Sequence, residues 1–339
     1  MKHKLSITLL LLVMFFATQL IGLTILNAYA PVKTSTLNET TGTTELSIEK
    51  PGLPFGLEYE ETNEQTPNFL SILFAIVFAF VIFSLLMKYN LKMIMRLWFF
   101  TVIIVSLGIS FYPLLVKNFP NPSIIALLIA LPLAFFKIVK PNIYVHNLTE
   151  LFIYPGIAIV ITSLIYSPTN RIASISFMLF LLILISVYDA WAVWKSGIMQ
   201  KMAKFQMEEL HIFGGFLIPS MSKKDKNKIK NIKQKYKNKK QKIPTKIKNK
   251  KFKVNLAILG GGDVIFPIIT AGVFMWSFPA QALFGIAGLI PALFIIGGAL
   301  AGLIYLFIQT EKDKAYPAMP YITSGIFIGL ALWYVLIMR

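Results

Sequence analysis

The sequence has no cysteine and only three histidines, His3, His146 and His211, far apart along the chain. Disulfides, thiolate metal sites and a cysteine nucleophile are thereby excluded, and a histidine-based metal centre or triad lacks members. Charge is scarce too: 14% of the 339 residues are Asp, Glu, Lys or Arg, against about 25% in soluble domains. Hydrophobic residues make up 56% before the 20 glycines are counted, and mean hydropathy is +0.69. A soluble globule of this size cannot hide so much apolar surface. The composition therefore points to an all-α polytopic membrane protein.

Apolar runs of about 20 residues mark membrane helices. They fall at about 5–28, 68–87, 97–116, 121–139, 149–167, 172–194, 254–276, 280–308 and 317–338, nine in all. The first ends in Ala28-Tyr29-Ala30, which resembles a signal-peptide cleavage site. Its apolar core is longer than the ~7–15 residues of a signal peptide, so it reads as a retained anchor. Within the eighth run, Gly298 and Gly302 form a G-x-x-x-G pair suited to close helix packing.

The net charge of +18 sits largely in one loop: residues 195–253 hold 19 Lys and 3 acids, leaving the rest near +2. Lys88, Lys92, Arg96, Lys137 and Lys140 mark the same side of the membrane as that loop, whereas residues 31–68 carry seven Glu. The positive-inside rule then places the N-terminus inside and the C-terminus outside. The resulting organisation is a six-helix part over 1–195, a cytoplasmic basic loop over 196–253 and a three-helix part over 254–339. The glycosylation-type triplet Asn147-Leu148-Thr149 falls inside and should be unused. In the loop, 198–210 suits an interfacial amphipathic helix, and 213–219 is apolar enough to dip into the membrane edge. The Lys-rich tract 222–253 cannot bury a core. With no aromatic interleaved among its central lysines beyond Tyr236, it suits anionic lipid rather than nucleic acid.

Glu150 starts the fifth run, which leaves Asp189 and Asp263 as the acids well inside the apolar spans. A central Asp costs about 2.5–3.5 kcal/mol to insert, and no membrane-embedded cation is evident to pair with either. Both lie in the inner half of the bilayer, at roughly 9 and 15 Å from the basic boundary for a helical rise of 1.5 Å per residue. Two carboxylates that meet there share a proton, and can act as base and acid in aspartyl-protease chemistry. A proton relay in a transporter or ion-leak channel, and a polar contact between helices, use the same acids.

The local sequence separates these readings. Tyr188-Asp189 is followed one span later by Gly260-Gly261-Gly262-Asp263, and the last span opens with Pro317-Ala318-Met319-Pro320. This order resembles the presenilin and signal peptide peptidase family of intramembrane aspartyl proteases, in the form of a prokaryotic-type homologue. The resemblance implies nine spans in a multi-pass protein, of the cell membrane if the source is prokaryotic, with Asp189 and Asp263 as the catalytic pair. It implies Tyr188, Gly260 and Gly262 as motif neighbours, and Pro317, Ala318, Met319 and Pro320 as the segment shaping the site. It implies neither metal nor cofactor, single-span membrane proteins or peptides as substrates, and room for an oligomer. Met319 stands where the family has Leu, a change that keeps volume. Pro291-Ala292-Leu293 spells the family tripeptide literally but lies inside the eighth run, so it is set aside. Pro320 and the basic loop resemble presenilin, while Pro267 resembles the peptidase branch.

Overall fold

The computed structural model describes residues 5–37, 44–49, 51–57, 69–196, 202, 205–210, 212–221, 254–310 and 316–339. The Lys-rich tract 222–253, most of 198–204 and part of the Glu-rich segment 31–68 lie outside the described residues. Among those described, nine α-helices form: α1 Leu5–Ala28, α2 Phe69–Lys88, α3 Lys92–Leu115, α4 Pro122–Ile138, α5 Ile143–Ile165, α6 Arg171–Trp191, α7 Gly261–Ser277, α8 Leu289–Gln309 and α9 Met319–Trp333. Six of them, α1, α3, α5, α6, α8 and α9, are long and apolar enough to cross a membrane. Helices α4 and α7, at 17 residues each, are apolar but shorter.

Two departures from pure helix appear. Strands β1 (Val32–Leu37) and β2 (Thr44–Glu49) pair as one antiparallel hairpin, and β3 (Gly215–Met221) pairs with β4 (Val254–Gly260) as another. The second pairing corrects one expectation. The run 254–276 is not one helix, because its first seven residues are a strand and α7 starts only at Gly261. Most of the apolar segment 213–219 is β3. A short apolar run reads alike as strand or helix, and here the partner strand decides.

Helix α7 is the hub. It packs against α1, α5, α6, α8 and α9, and every residue from Pro267 to Ser277 is buried. Polar side chains tie α1 to it. Gln19 Nε2 donates to Val264 O at 3.0 Å, and Trp276 Nε1 donates to Leu26 O at 3.1 Å. Helices α8 and α9 approach backbone to backbone: a Cβ on Gly298 would stand 2.1 Å from Gly325 O, and one on Gly302 2.3 Å from Tyr321 O. The G-x-x-x-G pair thus serves close packing, answered by Gly325 and Gly329 on α9.

A buried ionic cluster corrects the view that no cation is embedded among the helices. Lys137 Nζ lies 2.6 Å from Glu150 Oε1, with both side chains no more than 3% exposed. Lys137 also donates to Thr149 Oγ1 at 3.3 Å, and His146 Nε2 stands 3.6 Å from Glu150 Oε1. The turn between α4 and α5 is short, so the antiparallel pair brings Lys137 and Glu150 side by side. In a low-dielectric interior, desolvation of each ion is offset only by the other.

Two stability outcomes follow. Lys137→Met strands the Glu150 charge and should lower unfolding stability in detergent by about 3–5 kcal/mol, while Lys137→Met with Glu150→Leu should recover most of it. Chemical denaturation of both variants measures the difference. Gly325→Val should cost about 1–3 kcal/mol through overpacking against α8; Gly297→Ala, where nothing lies within 4 Å, should show no loss in the same assay.

Candidate active site

Asp189 lies in the last turn of α6, and is 6% exposed. Its Oδ2 accepts a hydrogen bond from the backbone N–H of Met319 at 3.0 Å, and the Ala318 N–H also donates to the carboxylate. These two donors sit at the start of α9, where N–H groups have no intrahelical partner. Pro317 and Pro320 flank them and have no N–H of their own. The segment therefore offers two donors at one place, and Asp189 acts as the cap of α9 from another helix. One turn away, Ser186 Oγ donates to Thr323 Oγ1 at 2.9 Å, a second tie between α6 and α9.

Asp263 is in the first turn of α7 and only partly buried. Its carboxylate accepts from the Gly260 N–H, so the third helical residue reaches back to the cap residue as in half of a capping box. Gly260 makes room for this: a Cβ there would stand 3.0 Å from Asp263 Oδ2. Helix α6 packs against both α7 and α9, and Asp189 and Asp263 lie within each other's electrostatic field. The two acids singled out from sequence are thus on neighbouring helices and interact, each braced by the N–H groups of a helix start.

The other residues read from sequence fall around this pair. Tyr188 is 42% exposed, its ring 6.1 Å from that of Trp191. Gly262 has only Phe266 near where a Cβ would be, at 3.9 Å, whereas a Cβ on Gly261 would press on the Tyr154 ring at 3.0 Å. The middle glycine, passed over as a motif spacer, is the one that packing requires. Pro291-Ala292-Leu293 sits in the first turns of α8. Among the described residues, no three His, Asp or Glu side chains group so as to hold a metal ion.

The strand leading into α7 has one closed flank and one open. Gly261 N–H donates to Gly214 O at 3.1 Å, and antiparallel alternation then turns the backbone groups of Gly215, Leu217 and Pro219 away from β4. That outer edge of β3 is occupied. His146 Nε2 donates to Gly215 O at 2.7 Å, Asn147 Nδ2 donates to Leu217 O at 2.8 Å, and Leu217 N–H donates to Asn147 Oδ1 at 3.0 Å. Pro219 has no N–H to give. On β4 the same alternation turns Leu256 and Ile258 away from β3, and no clamp of this kind holds that edge among the described residues. Sequence reasoning missed His146 and Asn147. The signal was the run of polar residues His146, Asn147, Thr149 and Glu150 early in a helix that is largely apolar thereafter.

Comparison with known proteins gives the family and the fold. The family described as signal-peptide peptidase, presenilin aspartyl protease matches residues 55–338. Two solved structures of a presenilin family intramembrane aspartate protease, in P2 and C222 space groups, superpose with TM-scores of 0.53 and 0.52 at 16% identity. They cover 96% and 97% of this chain, and 96% and 99% of their own. At that identity the likeness speaks for the fold. No curated protein matches the chain. The family match spans most of the sequence, and the protein belongs to the signal-peptide peptidase and presenilin aspartyl protease family, as an integral multi-pass membrane protein.

Proposed function

We propose that this protein is an intramembrane aspartic endopeptidase that cleaves single-span membrane proteins or peptides, with Asp189 and Asp263 as its catalytic pair. The observation that carries the reading is the placement of these two carboxylates on packed neighbouring helices, each facing the open start of a helix. Nearby carboxylates cannot both hold full charge cheaply, so the pair keeps one proton and titrates as a unit. The ionised partner removes a proton from water, which attacks the scissile carbonyl. The protonated partner first polarises the carbonyl and then, through the pair, a proton reaches the departing amide nitrogen. No metal or covalent intermediate is required. Partial exposure of Asp263 suits the entry of water.

The substrate backbone must be extended before attack, because a helix engages its own carbonyls. The outward groups of Leu256 and Ile258 offer an edge for such a peptide, directly upstream of Asp263. In this reading the helices make nine crossings, with the N-terminus inside, the C-terminus outside, and the basic loop facing anionic lipid on the inner side.

Two experiments test this. Purified protein in lipid should cleave a synthetic transmembrane peptide, as read by mass spectrometry, with inhibition by an aspartyl-protease transition-state analogue. Asp189→Asn and Asp263→Asn should each lower cleavage by about a thousandfold or more; cleavage that persists in either refutes the pair. Ile258→Pro removes an outward N–H without touching the β3 ladder. It should raise KM strongly while leaving the folded protein as stable as the wild type, and an unchanged KM would discard the β4 edge as the docking line.

A further inference from the structure

Helix α5 contributes neither acid, yet one of its faces meets every part of the turn that carries Asp263. His146 and Asn147 hold β3 by its backbone, as described above. Two turns on, Tyr154 packs its ring edge-on against Phe216 of β3, with centroids 5.6 Å apart. The same ring lies where a side chain on Gly261 would be: Cε1, the hydroxyl and Cζ stand 3.0, 3.1 and 3.2 Å from that position. Tyr154 is 2% exposed. No hydrogen bond of full geometry reaches its hydroxyl from the described residues. Glu150, one turn earlier, is close enough to share it, and Asp263 is within its electrostatic reach. Glu150 is itself fixed by Lys137 at 2.6 Å. A cavity of about 230 Å³ borders Lys137, Glu150, Tyr154, Gly261 and Gly262, so the turn has space to shift on that side unless the ring stops it.

We propose that Tyr154 is a positioning residue for Asp263. Wedged against Gly261 and backed by the buried Lys137–Glu150 pair, it sets the height of the Gly260–Gly262 turn, and thereby the aim of the Asp263 carboxylate toward Asp189. The proposal rests on the protease reading, in which Asp263 must be held in register with its partner. A displacement of about 1 Å at such a site costs on the order of a hundredfold in rate. The ring does the wedging, so the hydroxyl is secondary.

The test is steady-state cleavage of a synthetic transmembrane peptide by the full-length protein, with kcat and KM measured separately. Tyr154→Leu should lower kcat about a hundredfold with KM unchanged, and Tyr154→Phe should keep most of the wild-type kcat. Gly261→Ala, which sets a methyl group against the ring, should lower kcat in the same way. Combining Gly261→Ala with Tyr154→Leu should return part of what Gly261→Ala alone loses. Wild-type kcat in Tyr154→Leu, or losses that simply multiply in the double variant, overturn the proposal. Should Tyr154→Leu fail to fold, Gly261→Ala decides: a kcat loss at constant KM supports the wedge, and wild-type kcat overturns it. A wild type that cleaves nothing overturns the protease reading and this inference together, whereas a cleaving wild type with an indifferent Gly261→Ala overturns this inference alone.

Discussion

A carboxylate placed among membrane helices needs donors, and in this protein they come from the unpaired N–H groups of helix starts. Asp189 takes those of Ala318 and Met319 at the head of α9, and Asp263 takes that of Gly260 at the head of α7. Helix starts are the natural source in a bilayer, because there the backbone has donors that its own helix cannot use. The constraint reaches outward. The two starts must lie beside each other, so α6 has to touch both α7 and α9. Helix α7 is short, 17 residues, and is reached by a strand rather than by a longer helix.

The strand solves a second problem. Seven residues of backbone before Gly261 would be costly to bury unpaired. Pairing with β3 satisfies one side of β4, and α5 satisfies the outer side of β3 through His146 and Asn147. Among the described residues one edge of β4 is then left without such a clamp, the edge proposed above for an extended peptide. Most edge strands are protected against pairing; among the described residues the protection covers β3 and stops short of β4.

The apolar runs made most of the helices legible, since length and hydropathy alone separate α1, α3, α5, α6, α8 and α9 from their connections. The order of Tyr188-Asp189, the glycine turn and the Pro-Ala-Met-Pro segment was legible as well, because each motif is local. What was hidden is what pairing across the chain decides. Val254–Gly260 is as apolar as a helix, and only β3, more than thirty residues away in sequence, makes it a strand. Lys137 and Glu150 each looked like a charge at a span boundary. That the short turn between α4 and α5 sets them at matching heights is visible in the sequence, but only once both helices are drawn side by side. Gly261 looked like a spacer because a motif records which positions match, and not which neighbour needs the space.

The same distinction explains why Met319 can stand where the family has Leu. The contact that Asp189 makes is with the backbone N–H of residue 319, and any residue other than proline supplies it. The side chain, 3% exposed, has only to fill its place in the core, and Met and Leu do so with similar volume. Pro317 and Pro320 should be less replaceable. Their rings remove the two neighbouring donors and fix the backbone on either side of the pair, so a substitution there alters the geometry that Asp189 meets, even where volume is kept. The Leu-to-Met exchange at 319 and the sensitivity expected of its neighbours share one cause: the segment acts through its backbone.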